Sequence, residues 1–322
     1  METPPVETSP RETSPIETSL EPTVKGPPPA LKRPTGRLAG LLAAGPGLFW
    51  LTALLALPCL SLVAMALATR GQYGEVVWAF SLENLERLVG YSLFGWSPDI
   101  LWILLRSVLV AAITTILCVA VSYPLTFHMA TRSRSVRVFW LILIMVPFWT
   151  NVVVRTYGWL LILGPQLPPA KLAALLGLIP PGGALYPGSF AVYLGMTTTF
   201  LPFMALPLYA SVERLDWETL EAARDLYASS FQVFLRVILP QTRPGLAVGV
   251  IMTFVPAMAM FVVTDILGGA KNMLIGNLIQ QQFGQARDWP FGAALSLALM
   301  FLTLLSLALR KSKAPSGKGT FL

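Results

Sequence analysis

Residues 213–243 read ERLDWETLEAARDLYASSFQVFLRVILPQTR, a charged stretch set between two long apolar runs, Phe190–Ala210 and Leu246–Leu267. It carries five acids (Glu213, Asp216, Glu218, Glu221, Asp225) and four arginines (Arg214, Arg224, Arg236, Arg243), so it does not belong among hydrocarbon. Leu220, Ala223, Tyr227, Phe231 and Phe234 recur at spacings of three and four, which predicts a helix with one apolar stripe and a charged opposite face. Taken alone, this is the pattern of an amphipathic helix on a membrane surface.

The composition of the whole chain fits that setting. Of 322 residues, 55% are hydrophobic and 12% charged, with a mean hydropathy of +0.66. Soluble domains carry about 25% charged residues, so lipid must solvate much of this surface and a soluble enzyme is excluded. Six apolar runs stand out: Gly45–Ala68, Val108–Phe127, Val138–Leu163, Phe190–Ala210, Leu246–Leu267 and Phe291–Leu309. Each is long enough to cross about 30 Å of hydrocarbon as a helix. Helix is the spanning form left, because backbone polar groups find no partner in lipid and β-barrel alternation is absent. The expected fold class is an all-α integral membrane protein with six transmembrane helices.

Both ends are a different material. Glu7-Thr8-Ser9-Pro10 and Glu12-Thr13-Ser14-Pro15 belong to a five-residue repeat with little to bury, so residues 1–40 are expected to be a disordered tail rich in Pro, Ser, Thr and Glu. The first apolar run starts too far in, and is too long, to be a cleavable signal. Residues 41–310 form the membrane domain and 311–322 a basic tail. Lys25, Lys32, Arg33 and Arg37, then Arg132, Arg134 and Arg137, then the four arginines of the 213–243 loop, then Arg310, Lys311, Lys313 and Lys318 all fall on one side of the spans. The other side holds only Arg70, Arg87, Arg106, Lys171, Lys271 and Arg287. Positive charge accumulates in the cytoplasm, so both termini are expected there. The net charge of +7 thus reports topology, and nucleic acid is not an expected partner.

Little in the chain supports covalent chemistry. Cys59 and Cys118 lie inside apolar runs, and a single histidine, His128, sits at the edge of another, where a structural role is the ordinary one. The nearest approach to a phosphate-cradling loop, Gly317-Lys318-Gly319-Thr320, lacks the required spacing. No enzyme activity is expected of this chain, and no cofactor bound by it.

The loop also carries residue identities that resemble a known family. Glu221-Ala222-Ala223-Arg224-Asp225-Leu226, followed by Ile238-Leu239-Pro240 and Pro244-Gly245, is similar to the EAA loop of ABC importer permeases. The resemblance implies a type I ABC importer permease fold in which this loop, about 213–243, is a coupling helix docking on a cytoplasmic ATPase. Glu221, Ala222, Ala223, Asp225, Phe231, Leu239 and Pro240 are the implied coupling residues. The family usually has glycine after Asp-Leu; here Tyr227 stands there, where a positive φ is disfavoured. From Gly45 to Leu309 the resemblance narrows. Val146-Pro147-Phe148-Trp149-Thr150-Asn151, Leu201-Pro202-Phe203-Met204, Asp265 through Asn277 and Arg287 through Ala294 resemble the first permease subunit of spermidine/putrescine importers. This implies a bacterial inner-membrane transport subunit with four kinds of partner: a second homologous permease, two copies of an ATPase subunit that hold ATP and Mg, a periplasmic polyamine-binding protein, and membrane lipid. The external loop with Gly268, Gly269, Gly276 and Gly292 is where the binding protein would touch. Related permeases carry other cationic or small organic solutes, which stay open as alternatives. An ATP-independent secondary transporter is the competing class, although it predicts inverted repeats, which the sequence does not display.

A polyamine is a flexible chain of ammonium groups, so its path needs acidic oxygens and aromatic faces. Asp265, near the external end of the fifth run, is the one acid inside a predicted span, and is either a substrate ligand or an ion-pair partner of Arg155 or Lys271. Trp149, Asn151 and Tyr157 in the third run, with Phe261 four residues before Asp265, complete the candidate path. Trp149 reads equally as an interfacial anchor, and Trp159 reads as one. Arg155 repels cations and suits a clamp on Asp265 or on backbone carbonyls. Pro147, Pro202, Pro207 and Pro256 are expected to bend their helices.

Overall fold

The computed structural model describes residues 37–92, 95–269 and 273–311. The tails read at 1–36 and 312–322, and Lys271, lie outside them. Helix α1 runs from Arg37 to Ala66, so helix begins inside the stretch read as a tail to residue 40. Its first part, to Leu55, is a unit of its own, a helix whose side chains from Phe49 to Leu55 are mostly exposed and apolar.

In the second unit, a hairpin of β1 (Thr69–Arg70) and β2 (Val76–Val77) leads to α2 (Glu83–Val89), and a second hairpin pairs β3 (Tyr91–Ser92) with β4 (Gly95–Trp96). Long helix α3 (Asp99–Ala130) follows, then α4 (Arg134–Trp149), α5 (Val152–Ile162), short α6 (Pro168–Leu175) and α7 (Ser189–Val212). The charged stretch folds as α8 (Trp217–Asp225) and α9 (Ser230–Val233), continued by a π-helical turn, Phe234–Ile238, into α10 (Leu239–Ala259). The chain closes with α11 (Val262–Gly268), α12 (Ile275–Phe283) and α13 (Trp289–Lys311). Among the described residues five helices are long and apolar enough to cross a membrane, and α4 with α5, bent by 100°, counts as a sixth when the pair is taken as one span.

Helices α3, α7 and α10 form the centre. Inside lipid there is no hydrophobic force between helices, so small residues that allow close approach decide which faces meet. On α3 that face is Ser107, Ala111, Thr114, Thr115, Cys118, Ser122 and Thr126, all buried, with Thr115 and Thr126 returning their hydroxyls to carbonyls of their own helix. Cys118 is therefore a packing residue. On α10 the face is Gly245 and Gly249. A Cβ at Gly245 would lie 2.3 Å from the Pro207 carbonyl oxygen of α7, and one at Gly249 would lie 2.8 Å from Met204 Sδ. The single histidine is structural, its ring edge-to-face with Trp140 at 5.7 Å.

Two expected spans are corrected. The third, Val138–Leu163, is not one straight helix, because Pro147 removes an N–H near its middle and Asn151 starts a new helix by accepting the Val153 N–H at 2.8 Å. The fifth stops at Ala259, beyond Pro256, and restarts as α11 after an extended residue, Met260. The π-helical turn has a related cause. Pro240 has no N–H to offer and its ring crowds the carbonyl four residues back, and a wider turn in which the Leu239 N–H reaches Phe234 absorbs the misfit.

Candidate functional site

The two interrupted spans meet, since α5 packs against α11. At the first interruption, Pro147 C=O gathers the donors that the break sets loose: the Thr150 hydroxyl at 2.6 Å and Arg155 Nη1 at 2.8 Å. Arg155 therefore clamps a backbone carbonyl. Of the two partners read for it, the carbonyl is the one seen, and no Arg155–Asp265 ion pair occurs among the described residues. Arg155 also lines a cavity of about 570 Å³ beneath the bend, with Trp140, Trp159 and Pro202. Trp159 is the residue read as an interfacial anchor. It is half-buried and donates to Thr198 Oγ1 at 3.0 Å, tying α5 to α7.

At the second interruption the organising residue is Asn277 of α12, which is 7% exposed. Its side-chain Nδ2 donates to Phe261 C=O at 3.2 Å and to Asp265 Oδ1 at 2.9 Å. Its Oδ1 accepts the Thr264 hydroxyl at 2.9 Å and the Leu274 N–H at 3.1 Å. The start of α12 can come this close because residue 276 is glycine: a Cβ there would sit 2.3 Å from Ala259 C=O. The Ile275 N–H reaches Ser107 Oγ of α3 at 2.8 Å, so α12 also ties the break to the central bundle.

The sequence-derived path residues thus gather around the two breaks. Asp265 is exposed, and so are Trp149 (82%), Tyr157 (53%), Asn151 and Phe261 (37%). Asn151, chosen as a path residue, spends its side-chain oxygen on capping α5. Phe261 lies in the break itself, and its carbonyl accepts the Asp265 N–H at 2.9 Å. Sequence reasoning missed Asn277, whose partners, apart from Leu274, lie in the preceding helix α11 and at its start. It also missed Asp288, a carboxylate 2% exposed that pairs with Arg87 at 3.0 Å and more loosely with Arg70 at 3.9 Å. Arg87 also stands over the Phe291 ring at 4.0 Å, so this cluster joins the first hairpin, α2 and the start of α13. The adjacent pair Arg287-Asp288 was its only signal.

At the opposite end of the bundle, α8 begins on Asp216, which accepts the Glu218 and Thr219 N–H groups and the Thr219 hydroxyl. The Thr219 hydroxyl and N–H together hold this exposed carboxyl below the usual carboxylate range. The single apolar stripe expected over 220–234 is broken in two. Leu220, Val233 and Ile238 are buried with Tyr123 and Leu208, while Leu226 (81%), Tyr227 (98%) and Phe231 (71%) face outward. The reason is the turn at Tyr227, whose φ of 57° ends α8 in the left-handed conformation before Ser229 and Gln232 form a capping box for α9. The kink survives the exchange of glycine for tyrosine. Glu221, Ala222 and Asp225 are exposed beside it, and Ala223, Leu239 and Pro240 are partly covered.

The chain as a whole resembles known proteins. The family described as binding-protein-dependent transport system inner membrane component matches residues 122–312. The chain belongs to this family. The permease is 40% identical over 258 residues to the spermidine/putrescine transport system permease protein PotB of Escherichia coli (strain K12), covering 80% of this chain and 91% of that protein. It is 37% identical over 256 residues to PotB of Haemophilus influenzae, covering 80% and 87%. It is 32% identical over 221 residues to the inner membrane ABC transporter permease protein YdcU of E. coli, covering 65% and 70%. Among solved structures, a bacterial ABC transporter involved in the import of the acidic polysaccharide alginate superposes with a TM-score of 0.56 at 14% identity, covering 86% of this chain and 96% of that one. The permease therefore has the ABC importer permease fold expected from its loop, and it is a multi-pass inner-membrane transport protein.

Proposed function

We propose that the permease is one transmembrane half of an ATP-driven importer for polyamines. The observation that carries this reading is the pairing of 40% identity to a spermidine/putrescine permease over 80% of the chain with an exposed carboxylate, Asp265, held at a helix break near exposed aromatic side chains. Such a carboxylate is costly in lipid unless something polar covers it. A second, homologous permease would close this face, leaving Asp265, Trp149, Tyr157 and Phe261 to replace the hydration of passing ammonium groups. Two ATPase subunits would bind the outward patch of Leu226, Tyr227 and Phe231 with Glu221 and Asp225, and would hold the ATP and Mg. A periplasmic binding protein would deliver the solute, and both termini would lie in the cytoplasm. ATP and the loaded binding protein must favour different states of the assembly, since only differential affinity shifts a conformational equilibrium.

The test is uptake in cells carrying this permease with its partner subunits. Spermidine and putrescine should each compete for uptake of the other, and Glu221→Ala should abolish uptake and loosen ATPase co-purification. If neither polyamine competes, the polyamine reading falls, and another small organic or cationic solute takes its place. Uptake and ATPase association that survive Glu221→Ala would refute coupling through α8.

A further inference from the structure

Beside the last turns of α3, a cavity of about 480 Å³ opens toward the α8–α9 element. Four aromatic side chains from three elements line it: Tyr123 and Phe127 of α3, Trp217 of α8 and Phe234 of the π-helical turn. They meet edge to face, Tyr123 with Phe234 at 5.1 Å and Phe127 with Trp217 at 6.4 Å between ring centroids. Rings at right angles make the corners of a box, in which several electron-rich faces can border one volume. The negative end of the α3 dipole falls here as well, because α3 ends at Ala130 and Phe127 and Thr131 both line the cavity. Helix α8 also carries three exposed acids, Glu218, Glu221 and Asp225, outside the lining. No carboxylate lines the cavity itself, so it is unsuited to a small, strongly hydrated metal ion and suited to a cation with a diffuse charge and an apolar skin. Arg224 is the opposing charge on its lining, and it is exposed.

We propose that this cavity is a binding site for an organic ammonium ion, separate from the transport path and built between α3 and the α8–α9 element. A ligand there touches both, and so favours the arrangement of the coupling element seen in this structure over any in which α8 moves away from α3. The inference stands whichever solute is carried, since Asp265 and the two helix breaks lie at the other end of the bundle.

The experiment is equilibrium binding of choline to the purified full-length permease in detergent at constant ionic strength, with the uncharged isostere 3,3-dimethylbutan-1-ol as control. Choline should bind and the alcohol should not. Trp217→Leu should weaken choline by about tenfold, Trp217→Phe should retain most of the affinity, and Arg224→Gln, at an exposed position that folding tolerates, should tighten it. Equal binding of the alcohol would show an apolar cavity without charge recognition. Choline affinity insensitive to both Trp217→Leu and Arg224→Gln, or lost only in Asp265→Asn, would place the ammonium elsewhere; any of these results overturns the proposal.

Discussion

The side-chain amide of Asn277 donates to the Asp265 carboxylate at 2.9 Å, across a helix break that the same amide bridges to Phe261 C=O. One neutral side chain thus holds the candidate ligand of the path and the interruption that exposes it. Two substitutions separate the roles. Asn277→Ala leaves the Leu274 N–H without its acceptor, at a cost of about 1–3 kcal/mol, and removes the amide that joins α12 to Phe261 C=O and to Asp265, while the Phe261 carbonyl keeps the Asp265 N–H and the Thr264 hydroxyl keeps the carbonyls of its own helix. The thermal midpoint of the purified permease should fall, and uptake should fall with it.

Asp265→Asn keeps an oxygen for Asn277 to donate to and removes the charge. Thermal stability should stay near wild type while KM for spermidine uptake rises by about tenfold, as expected when an ammonium group loses a charged partner worth roughly 1.4 kcal/mol. An unchanged KM would remove Asp265 from the path.

The approach of α10 to α7 makes two neighbouring glycines unequal. At Gly245 an added methyl group meets backbone, the Pro207 carbonyl, and cannot be relieved without moving a helix. At Gly249 the nearest atom belongs to Met204, a flexible side chain. Gly245→Ala should destabilise by about 1–3 kcal/mol and Gly249→Ala by less, both read from detergent melting curves.

Tyr227 occupies a left-handed conformation that costs a non-glycine residue about 1–2 kcal/mol, and its side chain is 98% exposed. Tyr227→Gly should therefore raise the melting temperature. If this side chain touches the ATPase, the same substitution should weaken ATPase co-purification, so stability and coupling should move in opposite directions.

Asp216 caps α8, and its hydrogen bonds favour the ionised form, so its folded pKa lies below the unfolded one. The sign follows: its contribution is complete above the ordinary value of 3.8 and is lost as pH falls through the lower, folded value. Asp216→Ala should lower stability at neutral pH, and the gap between variant and wild type should close only in strong acid. A gap that stays constant down to that range would mean the cap acts without its charge.

The helical character, the spans and the coupling element were legible because each depends on local pattern. Apolar length reports a membrane helix, and the spacing of Leu220 and Ala223 with the Glu221-Ala222-Ala223 run announces an amphipathic helix. Asp265 was legible for the same reason, as a charge in an apolar run. Asn277 was not, since an asparagine near a glycine reads as a loop, and its value comes from Phe261 and Asp265 lying within reach. Asp288 was hidden in the same way: its partner Arg87 lies about 200 residues away in sequence. The stripe over 220–234 misled because periodicity assumes one continuous helix, and a single positive φ at Tyr227 turned Phe231 from the core to the surface.

By itself, then, the sequence determined that this chain lives in a membrane as a bundle of helices with a folded charged element between two of them, because lipid leaves the backbone almost no alternative and nearly all charges have to be placed outside it. The tertiary structure alone decided where the spans break and what fills the gaps. A proline weakens a helix locally, but whether the chain bends by 100°, as at Asn151, or restarts beside a buried amide, as at Phe261, depends on donors and acceptors brought from other helices.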